Sequence, residues 1–154
     1  MSQSGETADT IAALREAKRR GVAFVNISPV RSDVARELEA QWISPRPGSD
    51  MAIMLAIAHE LLVNDLHDEA FLDRYTIGFA EFREYLMGKI DGIEKTLDWA
   101  ANLAQVQASE IADLAGRMAR SRTLISVSWS LTRQEHGEQP FWMATVLAAM
   151  LGQI

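Results

Sequence analysis

Gly21-Val22-Ala23-Phe24-Val25-Asn26-Ile27-Ser28-Pro29 is the stretch that decides the fold class. Val22 to Ile27 is a short apolar run, interrupted by Asn26 and bounded by Gly21 on one side and Ser28-Pro29 on the other. It is β-branched enough to read as a buried parallel strand. Upstream, Thr7 or Asp9 caps a predicted helix through Arg20, with Ile11 and Leu14 on one face, Arg15, Lys18 and Arg19 on another, and Gly21 at the stop position. Helix, glycine, strand and proline in that order form a unit of an α/β fold. Downstream, Asp33 to Leu38 suits a short helix and Gln41 to Ser44 a second short strand, which ends in the turn Ser44-Pro45-Arg46-Pro47-Gly48.

Asp50 to Val63 reads as a helix, with Ser49 or Asp50 as its cap and Met51, Met54, Leu55, Ala58, Leu61 and Leu62 at helical spacing. Four further helices are predicted at 68–75, 79–87, 96–104 and 109–120, which makes 68–120 a helical insertion. Thr123 to Ser128 returns to β character, and Gln139 to Leu151 is a closing helix apolar on nearly every side, which belongs inside something. The expectation is an α/β fold: an incomplete Rossmann-like parallel sheet of about three strands, short of the usual ~4 to 6, flanked by helices. No repeat or linker divides it, so residues 1–154 are expected to form one domain. A predicted helix at the start without its strand, and the apolar end Leu151-Gly152-Gln153-Ile154, suggest a piece of something larger.

Composition narrows the function classes. The 154 residues are 48% hydrophobic, enough for one core. A net charge of -6 opposes a polyphosphate backbone, so nucleic-acid binding is not expected. With no cysteine, disulfides, thiolate metal sites and a Cys nucleophile are excluded, while the redox compartment stays open. No run approaches the ~20 apolar residues of a membrane helix, so a soluble chain is expected. The first ten residues carry neither a basic leader nor an apolar core of a signal peptide.

Open α/β sheets bind ligands at the carboxyl ends of their strands. Three segments stand there: Ile27-Ser28-Pro29, Pro47-Gly48-Ser49-Asp50 and Trp129-Ser130-Leu131-Thr132-Arg133. The second opens a helix, where free amides and the helix dipole favour a phosphate or hydroxyl-rich group. Taken alone, each has an ordinary structural reading as a turn or helix cap. His59, His67 and His136 have no carboxylate at ligand spacing, so no metal site is assigned. Glu135 and Glu138 read as dipole partners of the closing helix, and Lys18-Arg19-Arg20 as cations at a helix end. Trp42, Trp99 and Trp142 read as packing residues, and Met51 and Met54 as core filling.

Order and spacing add what the segments lack singly. The runs Trp42 to Leu62, Leu66 to Phe79, Asp98 to Leu103 and Ser128 to Ile154 resemble the dimethyl sulfoxide, trimethylamine N-oxide and biotin sulfoxide reductase family of molybdopterin oxidoreductases. The resemblance extends from about Gly21 to Ile154, and the stretch Arg133-Gln134-Glu135-His136-Gly137-Glu138-Gln139 is its most specific part. It implies a parent enzyme that carries molybdenum on two molybdopterin guanine dinucleotides and reduces S-oxides or N-oxides by oxygen-atom transfer. Ile27 and Ser28 match the strand end that holds the guanosine ribose, where the family has Asp in place of Ser28. Gly48, Ser49 and Asp50 match the turn whose Asp recognises guanine. Trp129, Ser130 and Arg133 match positions lining the dinucleotide, with Ser128 where the family usually has Gly.

The serine that ligates molybdenum in this family comes from a segment with no counterpart here, so no catalytic residue and no metal ligand are assigned. The resemblance therefore implies a cofactor-gripping piece of a larger oxidoreductase, inactive and without bound cofactor by itself. Its partners are the dinucleotide and the parent's other domains, and its apolar closing helix favours self-association. Relatives of this kind occur in both periplasm and cytoplasm, so the compartment stays open. The competing reading is a stand-alone α/β nucleotide-binding or interaction module without metal chemistry. An independent hydrolase fits poorly, because no nucleophile stands on a tight elbow with a convergent base.

Overall fold

The computed structural model describes residues 8–154, so a cap at Thr7 lies outside the described residues. Helix α1 spans Ala8–Arg19 and ends where Gly21, at φ +83°, donates to Lys18 O at 2.9 Å. Val22 N also turns back, to Ala17 O at 3.1 Å. That bond holds Val22 in the helix exit, and strand β1 begins only at Val25 and ends at Ile27. The predicted strand from Val22 is therefore too long. Nor is it buried: Val25 and Asn26 are half-covered and Ile27 is 38% exposed.

Helix α2 (Asp33–Glu37) is capped by Ser32, whose Oγ accepts from Ala35 N at 3.1 Å. It leads to strand β2 (Gln41–Ile43), which pairs with β1 in parallel, with Val25, Asn26 and Ile27 opposite Gln41, Trp42 and Ile43. Helix α1 has no fully buried residue, and Ile11 and Leu14 are only half-covered. It is tied to α2 by ions instead: Arg15 grips both carboxylate oxygens of Glu37, and Lys18 Nζ donates to Glu37 O at 2.8 Å.

The centre of the molecule is helix α3 (Asp50–Val63), where Ala52, Ile53, Leu55 to His59, Leu61 and Leu62 are all buried. A helix apolar around its whole circumference needs neighbours on every side. Those are α5 (Phe79–Leu86), α6 (Leu97–Ala104), α7 (Ala108–Arg120) and α8 (Gln139–Met150), with α4 (Glu69–Tyr75) packed on α8. Local chemistry starts these helices where the sequence predicts. Asp68 caps α4 through Phe71 N at 2.9 Å, Thr96 caps α6 through Trp99 N at 3.2 Å, and Gln107 with Glu110 forms a capping box on α7.

The third predicted strand does not form. Thr123 to Ser128 alternates half-buried and exposed residues like a strand, but Leu124 to Val127 make no backbone hydrogen bond to another described residue. Side-chain alternation is only half of what a strand needs, since its amides and carbonyls require a neighbouring ladder. The described sheet is the parallel pair β1-β2, so the chain is α/β but mostly helical. In α8, Met143, Leu147 and Met150 are buried as expected, whereas Trp142, expected to pack, is 76% exposed.

Candidate functional site

Parallel pairing puts Ile27 and Ile43 side by side, so Ser28 and the Ser44-to-Gly48 turn leave the sheet at the same edge. Ser28 is firmly held there. Its N–H donates to Ile43 O at 3.1 Å, its carbonyl accepts from Trp42 Nε1 at 2.8 Å, and its Oγ accepts from Val30 N at 3.3 Å. The hydroxyl is thus folded onto its own turn, with its proton left to donate. Trp42, read from sequence as a packing residue, is a clamp on the strand end; its fourteen-residue separation from Ser28 has no sequence signature.

The turn into α3 is anchored from the far side by Arg46 N, which donates to Ala104 O at 2.7 Å at the end of α6. Gly48 follows with φ +81°, a conformation that strains any residue with a Cβ. Ser49 occupies the cap position of α3, yet its Oγ donates to Arg46 O at 2.6 Å and makes no bond to the helix. The expected side-chain cap is therefore absent, because the serine is spent on closing the turn. Asp50 begins α3 half-buried, and its carboxylate has no hydrogen-bond or ion-pair partner among the described residues. Beside it, Arg46, Pro47, Gly48, Ser49, Ala52 and Leu103 line a shallow depression.

Trp129 to Arg133 forms a short 3₁₀ helix. Trp129 is 62% exposed and sets its ring edge-on against Phe141, with centroids 5.9 Å apart. Ser130 Oγ lies 2.8 Å from Ser128 Oγ, and Thr132 Oγ1 donates to Trp129 O at 2.9 Å, so the segment's hydroxyls are largely bonded within it. Arg133 is exposed at its end. The next residue, Gln134, makes the link to the turn: a Cβ built on Gly48 would lie 3.8 Å from Gln134 Oε1. Two segments more than 80 residues apart in sequence thereby meet at Gly48. Gly137 holds this return in place, for a Cβ there would overlap Leu131 O and stand 2.8 Å from Thr132 Cα.

The remaining charged candidates are accounted for elsewhere. Arg19 and Arg20 both pair with Glu16, and Lys18 with Glu39, so the basic end of α1 is spent on ion pairs. Hydrogen bonds from Arg20 and Arg19 hold the Glu16 carboxyl below its usual range, as Arg15 does for Glu37. His59 meets a carboxylate from far along the chain: its Nε2 lies 2.9 Å from Glu94 Oε1, supplied by the turn before α6. His136 approaches Glu135 and Glu138 only at 3.9 and 4.0 Å, in solvent. Among the described residues no group of three or more His, Cys, Asp or Glu is placed to hold a metal ion, and no helix is long and apolar enough to cross a membrane.

A family model described as molybdopterin oxidoreductase matches residues 3–154. The dimethyl sulfoxide/trimethylamine N-oxide reductase of Cereibacter sphaeroides is 43% identical over 143 residues, which are 93% of this chain and 17% of that protein. The trimethylamine-N-oxide reductase of Haemophilus influenzae is 45% identical over 134 residues, 87% of this chain and 16% of the relative. Among solved structures, acetylene hydratase from Pelobacter acetylenicus superposes with a TM-score of 0.79 at 25% identity, covering 93% of this chain and 19% of that one. The chain thus spans about a sixth of the length of the curated relatives it matches.

Proposed function

Because the chain belongs to the molybdopterin oxidoreductase family, we propose that it is the segment that grips one guanine-dinucleotide end of a bis(molybdopterin guanine dinucleotide) molybdenum cofactor within an S-oxide or N-oxide reductase. The observation that carries this reading is the carboxylate of Asp50, without a partner among the described residues and placed at a helix start beside the open Gly48 turn, at the carboxyl edge of parallel strands. An acceptor without an internal partner suits the N1–H and N2–H donors of guanine. Ser28 keeps a hydroxyl proton for a ribose oxygen, and Trp129, Ser130 and Arg133 line the dinucleotide from the segment that Gln134 joins to the turn. The residues present therefore fit the nucleotide end of the group. When bound, the group supplies oxygen-atom transfer at molybdenum; this chain binds and orients one of its ends.

In this reading residues 1–154 are one domain with 68–120 as a helical insertion, and the parent's other domains supply the metal ligand, the second dinucleotide site and the substrate pocket. The chain alone then holds no stoichiometric molybdenum and shows no S-oxide or N-oxide reductase activity with a reduced viologen donor. Metal analysis finding about one molybdenum per chain overturns it. Titration with GDP and ADP tests the gripping role directly: GDP should perturb Gly48 to Asp50 more than ADP does.

A further inference from the structure

The hydrophobic core stops short of the first part of the chain. Around α3 it is built from residues of α3 to α8, and the described stretch before Pro45 gives it one buried side chain, Ile43, and one half-buried, Val25. Ala35, Leu38 and Ala40 are buried as well, yet outside that core, and Ile11 and Leu14 of α1 do not reach it. The polar ties of this stretch run inward. Arg15 grips Glu37, Lys18 pairs with Glu39 at 3.1 Å, Trp42 Nε1 donates to Ser28 O, and Ser44 Oγ donates to Pro29 O at 3.4 Å. Two residues beyond Ser44, Arg46 N is already bonded to Ala104 O, on the helical side. The boundary falls at Pro45.

We propose that residues 8–43 open as one cooperative unit while the helices from α3 onward stay folded, and that the hydrogen bond from Arg117 Nη2 in α7 to Gln41 Oε1 in β2 is the latch that holds the unit closed. A segment that shares little apolar surface with its neighbour opens at a free energy below that of global unfolding. Its own core is too small to keep it folded alone, so the opening is a local unfolding. Cooperation within the unit comes from the β1-β2 ladder and from the ion pairs that tie α1 to α2. Arg117 suits the latch because Asp113, one turn earlier in α7, holds its Nε at 3.0 Å and leaves Nη2 to reach the strand. A bond from a guanidinium is stronger than one between neutral groups. The boundary also runs between Ser28 and Gly48, the two sides of the proposed dinucleotide site. That opening parts this site rests on that reading, whereas the opening itself does not.

Native-state hydrogen exchange of the full chain, followed by NMR at low urea and without nucleotide, tests the opening. The amides of Ser28, Leu38, Ala40 and Gln41, all bonded within the unit, report on it, and those of Ala58 and Leu61 report on α3. The first set should share one opening, exchange roughly tenfold or more faster than the second, and depend less steeply on urea, because less surface is exposed. Arg117→Met should accelerate the first set by roughly a further tenfold, the worth of one charge-assisted hydrogen bond, and leave the second unchanged. Since Arg117 lies outside the unit, that result is not a change in the strands themselves. Gln41→Glu, which turns the latch into an ion pair, should slow the first set and keeps the test open if Arg117→Met folds poorly. One opening common to both sets, or an Arg117→Met variant that accelerates both equally or neither, overturns the proposal.

Discussion

The ammonium of Lys95, 98% buried, is gripped by both carboxylate oxygens of Asp91, at 2.7 and 2.9 Å, and lies 4.3 Å from the centre of the Tyr85 ring. The same ammonium donates to Ile93 O, so one side chain folds the turn between α5 and α6 around itself. That turn carries Glu94, the partner of His59 in the central helix. A buried cation is tolerated only while its partner is charged.

Loss of that partner should therefore loosen the turn. Asp91→Asn is expected to lower the melting temperature by several degrees and to shift the NMR signals of residues 88–95, whereas Lys95→Met, which removes the charge with its partner's need, costs less. The hydrogen bond from Lys95, followed by that from Ile93 N, holds the Asp91 carboxyl below its usual range. Its contribution is accordingly complete above the ordinary carboxylate range and is lost as the pH falls through the depressed value of the folded state. Melting curves from neutral pH downward should show an acid loss of stability that is smaller in Asp91→Asn; parallel curves refute the role.

Two glycines should respond in opposite directions. Gly137→Ala places a methyl group against the backbone of Leu131 and Thr132, which cannot move without opening the loop, so destabilisation by about 1 to 3 kcal/mol is expected. Gly116→Ala in α7 meets only the flexible guanidinium of Arg120, at 3.1 Å, and should stabilise by about 0.5 to 1 kcal/mol through the helix preference for alanine. Urea titration of both variants checks the contrast, and equal effects would contradict it.

Nucleotide preference should depend on Asp50. Small-ligand capture by part of a cofactor site is costly, so GDP is expected to bind only near millimolar, about -4 kcal/mol. Its chemical shifts should centre on Gly48 to Asp50, exceed those from IDP and ADP, and fade in Asp50→Asn. Because the Asp50 carboxylate has no hydrogen-bond or ion-pair partner among the described residues, the substitution should leave the melting temperature almost unchanged. A large loss of stability would mean that Asp50 serves the helix rather than a ligand.

Self-association should follow Trp142. The closing helix hides Met143, Leu147 and Met150, which leaves Trp142 and neighbouring Trp129 as the large apolar groups open to solvent at this end. Trp142→Lys is expected to move the sedimentation profile toward monomer with no loss of fold, and a profile that is already monomeric without the substitution at high concentration argues against the idea.

Much of the fold was legible because it is local. The helices predicted at 68–75, 79–87, 96–104 and 109–120 and the apolar spacing of Asp50 to Val63 all rest on residues within a few positions of the features they predict. The strand-end turn and its candidate residues Ile27, Ser28, Gly48, Ser49 and Asp50 were likewise visible, since glycine, proline and serine mark a turn wherever the chain goes. What tertiary structure alone decided is where each polar group spends its bonds. Thr123 to Ser128 has the alternation of a strand, but pairing is a property of a neighbour that the segment does not contain. Ser49 has the residue type of a cap and gives its hydroxyl to Arg46; Trp142 has the residue type of a core and faces water. Gln134 reaches Gly48 across more than 80 residues of sequence, a meeting set by the packing of α8 and α6 on α3 and by the tight loop at Gly137, and no spacing rule encodes it.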